Sequence, residues 1–367
     1  MTTERKAKAA EFAKLRSVTR RNSAMKQVFL RLAAANLAAS LACASPAAAQ
    51  DVAEFYRGKT LNLYQGYPPS GAYDLYARLI GRYMTKYLPG NPQIIVRSKP
   101  GAASLNLVNE LYNTLPRDGT TFGLFARSVA LNRLLGRPGV NFDPNELTWI
   151  GSANSEVSIC GVWHEVGVRS TEAFVSRPLI FGANAPGAES EVYPTILNNL
   201  LGTHFKVVAG YPASGDLALA MERHEIDARC GWSWNSLKAA QPDWLRDKKV
   251  YIAVQFAMAK HKDLPDVPLA TDLARNDLEH SALALILTQQ AMGRPFAAPP
   301  QVPAERVAAL RLAFDRSLAD PEFLAEAEKQ SLEIQPVSGE DLQTMVARMF
   351  HSPPDVIEAA RRAIGQH

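Results

Sequence analysis

Twice along this chain, short segments that alternate like strands are followed by segments with helical spacing. That alternation restricts the fold more than any other feature. Residues 60–65 (TLNLYQ) put Leu61 and Leu63 on one side, as a half-buried strand requires. The segment stops at Gly66-Tyr67-Pro68-Pro69-Ser70-Gly71. Leu75, Leu79, Ile80, Tyr83, Met84, Tyr87 and Leu88 then recur at three and four residues, which predicts an amphipathic helix ended by Pro89-Gly90. Residues 93–97 read as a second strand, 104–115 as a helix and 120–125 as a third strand. A second series follows, with strands over 179–182, 205–208, 226–229 and 250–254 and helices over 190–201 and 214–223. A helix over 303–319 opens a helical C-terminal region. Two such series, joined near residues 149–163, predict two similar α/β lobes on mainly parallel sheets.

In open parallel sheets, ligands bind beyond the carboxyl ends of the strands. Helix N-termini there supply free N–H groups and a positive dipole end, which suits a carboxylate. Three strand-to-helix turns therefore mark candidate ligand loops. The first runs from Gly66 to Asp74, the second from Gly182 to Ser190, and the third from Gly210 to Asp216. Asp74 at a helix start either meets a polar ligand group or simply stabilises the helix. Tyr73, Tyr76, Tyr211, Trp232 and Trp234 are candidate apolar walls, or core.

Hydrophobic residues make up 47% and charged residues 21% of the 367, enough to pack a soluble core. The net charge of +4 is concentrated at the front. Residues 1–49 carry net +7, leaving about −3 for the rest, so no basic footprint for nucleic acid remains. From Met25, a candidate start, the chain reads MKQVFLRLAAANLAASLACASPAAAQ. A basic head, an apolar run and Ala47-Ala48-Ala49 form the three-part pattern of a secretory signal peptide, and place the protein outside the cytoplasm, in the periplasm. Arg20-Arg21 offers a rival twin-arginine reading, and Cys43 a weaker lipoprotein one. Cys160 and Cys230 remain after the leader: in an oxidising compartment they are a candidate disulfide, or else two buried thiols.

No G-x-G-x-x-G, G-x-x-x-x-G-K-[ST], G-x-S-x-G, H-E-x-x-H or C-x-x-C is present, and the seven histidines are scattered. These absences argue against a nucleotide site, an α/β-hydrolase, a dedicated metal site and any resident cofactor. The reading is a binding protein and not an enzyme; an exported α/β enzyme and an accessory to a membrane sensor are the alternatives.

Several segments in order resemble the Bug family, the extracytoplasmic receptors of tripartite tricarboxylate transporters. Gly66-Tyr-Pro-Pro-Ser-Gly-Ala-Tyr-Asp74, followed by Ala77-Arg78, is similar to the family's first ligand loop, P-P-G-G-x-x-D. Lys99-Pro-Gly-Ala102 resembles N-K-P-G-A-G, and Pro116-Arg-Asp-Gly-Thr120 resembles P-D-G-Y-T. Leu264-Pro-Asp-Val-Pro268 and the stretch from Pro303 to Pro321 match two later segments. The resemblance spans about Gly58 to Phe350. It implies a periplasmic-binding-protein-like α/β fold, two α/β lobes around a central ligand cleft. The expected division is 50–155 with 278–367 as lobe 1 and 156–277 as lobe 2, after a signal peptide over 1–49. It further implies capture of a small carboxylate-bearing solute by a monomer, for delivery to the large and small permease components of the transporter. Carried over by position, the implied ligand-binding residues are Tyr67, Pro69, Gly71, Tyr73, Asp74, Ser128, Asn184, Gly187, Ser190, Ser214 and Asp216. Arg127, where a small residue is common, is added as a partner for an acid, and Trp232 as a wall. Glu189 stands where the family has small or hydroxyl residues, which favours an amine or repels a second carboxylate.

Overall fold

The computed structural model describes residues 46–69, 72–184, 188–211 and 214–365. The expected leader therefore lies almost wholly outside the described residues, as do Gly71 and Gly187 of the ligand loops. No described helix is long and apolar enough to cross a membrane.

A helix at Pro46–Tyr56 (α1) leads into β1 (Thr60–Gln65). Next come α2 (Ala72–Tyr87), β2 (Gln93–Ser98), α3 (Leu105–Asn113), β3 (Thr121–Leu124), α4 (Val129–Leu134) and β4 (Thr148–Ser152). The second series is β5 (Ser158–Trp163), α5 (Thr171–Ser176), β6 (Ile180–Ala183), α6 (Glu189–Leu201), β7 (Lys206–Ala209), α7 (Ser214–Glu222), β8 (Ala228–Ser233), α8 (Trp234–Ala240), α9 (Pro242–Arg246) and β9 (Val250–Phe256). The chain closes with α10 (Asp277–Ala291), β10 (Pro295–Ala298), α11 (Ala304–Leu318), α12 (Pro321–Lys329), β11 (Val337–Ser338), α13 (Gly339–Phe350) and α14 (Pro354–Ala363).

The strands form two sheets, of order β11-β4-β10-β3-β1-β2 and β7-β6-β8-β5-β9. Each sheet with its helices makes one α/β lobe, and the chain crosses between the sheets twice, after β4 and after β9. The prediction of mainly parallel sheets needs correction. Only β1–β2 and β1–β3 in the first sheet, and β6–β7 and β6–β8 in the second, are parallel. The pairs made by β10, β11 and β5 are antiparallel. For β5 and β10 the reason lies in the crossings: each enters its sheet from the other lobe and not through a βαβ crossover within that sheet, the connection that parallel pairing needs.

The helix α2 illustrates local logic. Its stripe of Tyr76, Leu79, Ile80 and Met84 is buried against the first sheet, while Arg78, Arg82 and Lys86 stay largely in solvent. A continuous apolar core joins Leu107, Phe125 and Val129 of the first lobe to Leu283 and Ile286 of α10 and to Tyr193 and Phe256 of the second. A second cluster, rich in tryptophan (Trp163, Trp232, Trp234, Trp244), lies on the other face of the second sheet.

Candidate functional site

The backbone around the first ligand loop is under strain. Ala102, Ala103 and Ser104 all have positive φ, at 46°, 50° and 75°. Non-glycine residues hold such angles only where surrounding structure dictates it, each at a cost of about 1–3 kcal/mol. Here the dictating group is the Ser104 hydroxyl, which is fully buried. It donates to the Gly66 carbonyl at 3.2 Å and accepts from the Ala126 N–H at 3.2 Å. One side chain thereby ties the end of β1 to the end of β3. Gly66 is obligatory, because a Cβ there would lie 2.3 Å from the Ser104 oxygen.

Beyond these strand ends lies a cavity of about 390 Å³ between the lobes. The first lobe lines it with Tyr67, Tyr73, Arg127 and Ser128, and the second with Glu189, Val192 and Tyr193 of α6. Gln289 of α10 and Arg294 complete its polar side. Tyr67 stacks on Tyr73 with ring centroids 4.2 Å apart. Burial pushes the Tyr67 hydroxyl well above its ordinary pKa, so it stays a neutral donor. Arg294 lies over the rings of Tyr73 and Tyr76, at 4.6 and 5.2 Å, a cation–π arrangement away from bulk water.

Charge in the cleft is arranged as a closed quartet. Arg127 donates through Nε and Nη2 to the two oxygens of Glu189, at 2.9 and 2.5 Å. This fork is the strong geometry for arginine and carboxylate. Glu156 lies 3.5 Å from Arg127 and 3.7 Å from Arg294. Glu189 also accepts from Ser158 at 3.2 Å and from Gln290 at 3.4 Å, and Glu156 accepts from Ser233 at 2.7 Å. Burial opposes the charge on Arg127, but Glu189 and then Glu156 outweigh it, so its pKa stands well above the usual arginine value. Arg127 follows β3 of one sheet and Glu189 opens α6 beside the other, so the ion pair spans the cleft.

Gly231 sets the position of Glu189. It sits at a bulge in β8, where Ile159 pairs with Trp232 but Gly161 with Arg229, and its φ is +63°. A Cβ there would lie 2.5 Å from the Glu189 carbonyl carbon and the Ser190 nitrogen. Only glycine lets the start of α6 come this close. Beside the bulge, Cys160 of β5 and Cys230 of β8 form a disulfide.

The residues named from sequence divide between the cavity and its surroundings. Tyr67, Tyr73, Arg127 and Ser128 line the cavity. Pro69 is exposed on the first loop. Asp74 is buried in the first turn of α2 and pairs with Arg78 at 2.8 Å. Asn184 and Ser190 bind each other: the Ser190 hydroxyl accepts the Asn184 N–H at 3.0 Å, and the Asn184 amide reaches the Tyr211 carbonyl. Ser214 accepts from the buried Arg229 through its carbonyl at 3.0 Å and its hydroxyl at 3.3 Å. Asp216 is exposed in the first turn of α7. Trp232 is buried beside Trp244, with Arg229 over its ring at 4.4 Å. Glu156, Tyr193, Gln289 and Arg294 were not singled out from sequence. Glu156 carried a signal, as a lone acid between two apolar segments; Arg294 carried none.

No group of histidine, cysteine or acidic side chains among the described residues is arranged to hold a metal ion. No protein-family model and no curated protein matches the sequence. Solved structures do match. A TctC solute-binding protein from Polaromonas superposes with a TM-score of 0.64 at 17% identity, covering 81% of this chain and 96% of that one. The periplasmic binding protein BugD gives 0.57 at 17% identity, over 84% and 98%. MatC from Rhodopseudomonas palustris, solved with malate, gives 0.54 at 19%, over 82% and 99%. An R. palustris protein solved with adipate gives 0.56 at 16%, over 82% and 97%. These neighbours include solute-binding proteins of the family that the motifs resemble, and the chain has their fold, two α/β lobes around a cleft.

Proposed function

We propose that this chain is a Bug-type solute receptor of a tripartite tricarboxylate transporter. It works in the periplasm, captures a carboxylate-bearing solute between its lobes and hands it to the membrane permease. The observation that carries this reading is the interlobe cavity, with Arg127, Arg137 and Arg294 in its lining. A cleft of this size encloses a small molecule, and arginines with tyrosine hydroxyls are suited to a carboxylate. The family motifs and the bound malate and adipate of two structural neighbours support the same choice. The cleft residues serve binding: among the described residues, no serine or cysteine nucleophile there is joined to a histidine base.

The test is a thermal-shift screen of purified protein against mono-, di- and tricarboxylates. A ligand that binds only the folded state stabilises by about 2.7 kcal/mol at a hundredfold excess over Kd. A melting temperature raised by a carboxylate is the expected result. No response to any carboxylate, from protein unfolded and refolded to strip carried-over ligand, refutes the proposal.

A further inference from the structure

The charge balance and shape of the cavity carry the receptor reading further, to the class of acid bound. The lining is mixed: beside the charged groups of Arg127, Arg137, Glu189 and Arg294, the side chains of Leu131, Leu135, Val192, Ile286 and Ile364 supply hydrocarbon surface. A volume near 390 Å³ equals on the order of a dozen waters, more than a four-carbon diacid fills. A small, fully polar ligand would leave the apolar wall facing water.

The charges point the same way. Arg127 and Arg294 are balanced by Glu156 and Glu189 within the cleft. One cation remains for a ligand anion: Arg137, half-buried in the lining, makes no ion pair among the described residues. One added negative charge is therefore matched by Arg137. A second has no counter-charge; it meets either Glu189 or the apolar wall, and both placements are costly.

We infer that the cavity takes an amphipathic monocarboxylate, with its acid group at Arg137 and an aliphatic or aromatic body along Leu131, Val192 and Ile364, and that Glu189 excludes diacids. The inference rests on the receptor reading, and its test separates the two. The full chain is titrated calorimetrically with octanoate, 3-phenylpropionate, adipate and malate. The monoacids are expected to bind at least about tenfold more tightly than adipate, the discrimination that one misplaced like charge imposes. Glu189→Gln, which keeps the shape and removes the charge, is expected to narrow that ratio by admitting adipate. Val192→Ser, at a half-buried position, is expected to weaken octanoate about fourfold, the transfer cost of roughly one methylene's apolar surface, and to weaken malate less. Adipate or malate binding as tightly as octanoate to the unaltered protein overturns this inference and leaves the receptor reading standing. No heat from any of the four acids counts against both.

Discussion

Replacing Gly231 by alanine tests whether the approach of β8 to α6 holds the cleft's ion pair in place. The substitution adds one methyl group and carries two separate penalties. At φ +63° an alanine occupies the left-handed region, which costs about 1 kcal/mol or slightly more. The new Cβ also lies 2.5 Å from backbone atoms of Glu189 and Ser190. Ordinary contact begins near 3.4 Å, so the start of α6 must retreat by about 0.9 Å. The obstructing atoms are backbone and cannot rotate aside as a side chain would. Overpacking of this kind costs about 1–3 kcal/mol. The expected total is about 2–4 kcal/mol, read as a lower midpoint in urea. A retreat of that size also parts Glu189 from Arg127, whose bonds at 2.5 and 2.9 Å leave no slack. Ligand affinity is therefore expected to change with stability. Gly215→Ala is the control. It lies in α7 with nothing within 4 Å of its added Cβ, so helix propensity alone is expected to stabilise by up to about 1 kcal/mol. A loss below about 1 kcal/mol for Gly231→Ala, or no difference from the control, refutes the argument.

Two further outcomes follow from the disulfide and from Glu333. Reducing the Cys160–Cys230 bond, which closes a loop of 70 residues, is expected to lower stability by about 4 kcal/mol through chain entropy, measured as urea midpoints with and without reductant; unchanged midpoints refute it. Burial, and then the nearby charge of Glu156, raises the Glu333 carboxyl to about 6. A folded-state pKa above the unfolded value means the folded state holds the proton longer, so this group's contribution is full below about pH 4.5 and is lost as pH rises through 6. The rise from 4.5 to about 6 corresponds to at most ~2 kcal/mol, reduced by solvent screening at this half-buried site, and Glu333→Gln is expected to remove that slope between pH 4.5 and 7 in denaturant titrations. Equal slopes in the two proteins would show that Glu333 titrates normally.

The elements legible in the sequence were those with one wet face. β1 and α2 bury one side only, so their periods of 2 and 3.6 stand out, and the expected strand over 60–65 coincides with Thr60–Gln65. Segments buried on every side lack that contrast. β5 (SICGVW) is buried at all six positions and β10 (PFAA) at all four, so neither shows alternation, and both escaped prediction. The same holds for α10, whose DLEHSALALILTQQA sequence is apolar around much of its circumference. Residues 149–163, read as a junction, contain most of two strands. At the site, Arg127 and Glu189 were legible because charged residues replace small ones in loops where a helix begins. Arg294 was not, because its place depends on β10 returning antiparallel beside β3, a long-range pairing with no local trace.

The two sheets also differ in how the chain delivers them. The second sheet is built entirely from 158–256, one uninterrupted stretch, whereas the first combines 60–152 with 295–338. As the chain emerges in order, the second sheet has all its strands once residue 256 appears. At that moment the first sheet still lacks β11 and β10, and β10 must slot between β3 and β4. Until it arrives, two strand edges that end up adjacent to it face outward unpaired. A chain of this topology thus has a built-in period of vulnerability between its 256th and 298th residues, when a stray strand could occupy the gap meant for β10.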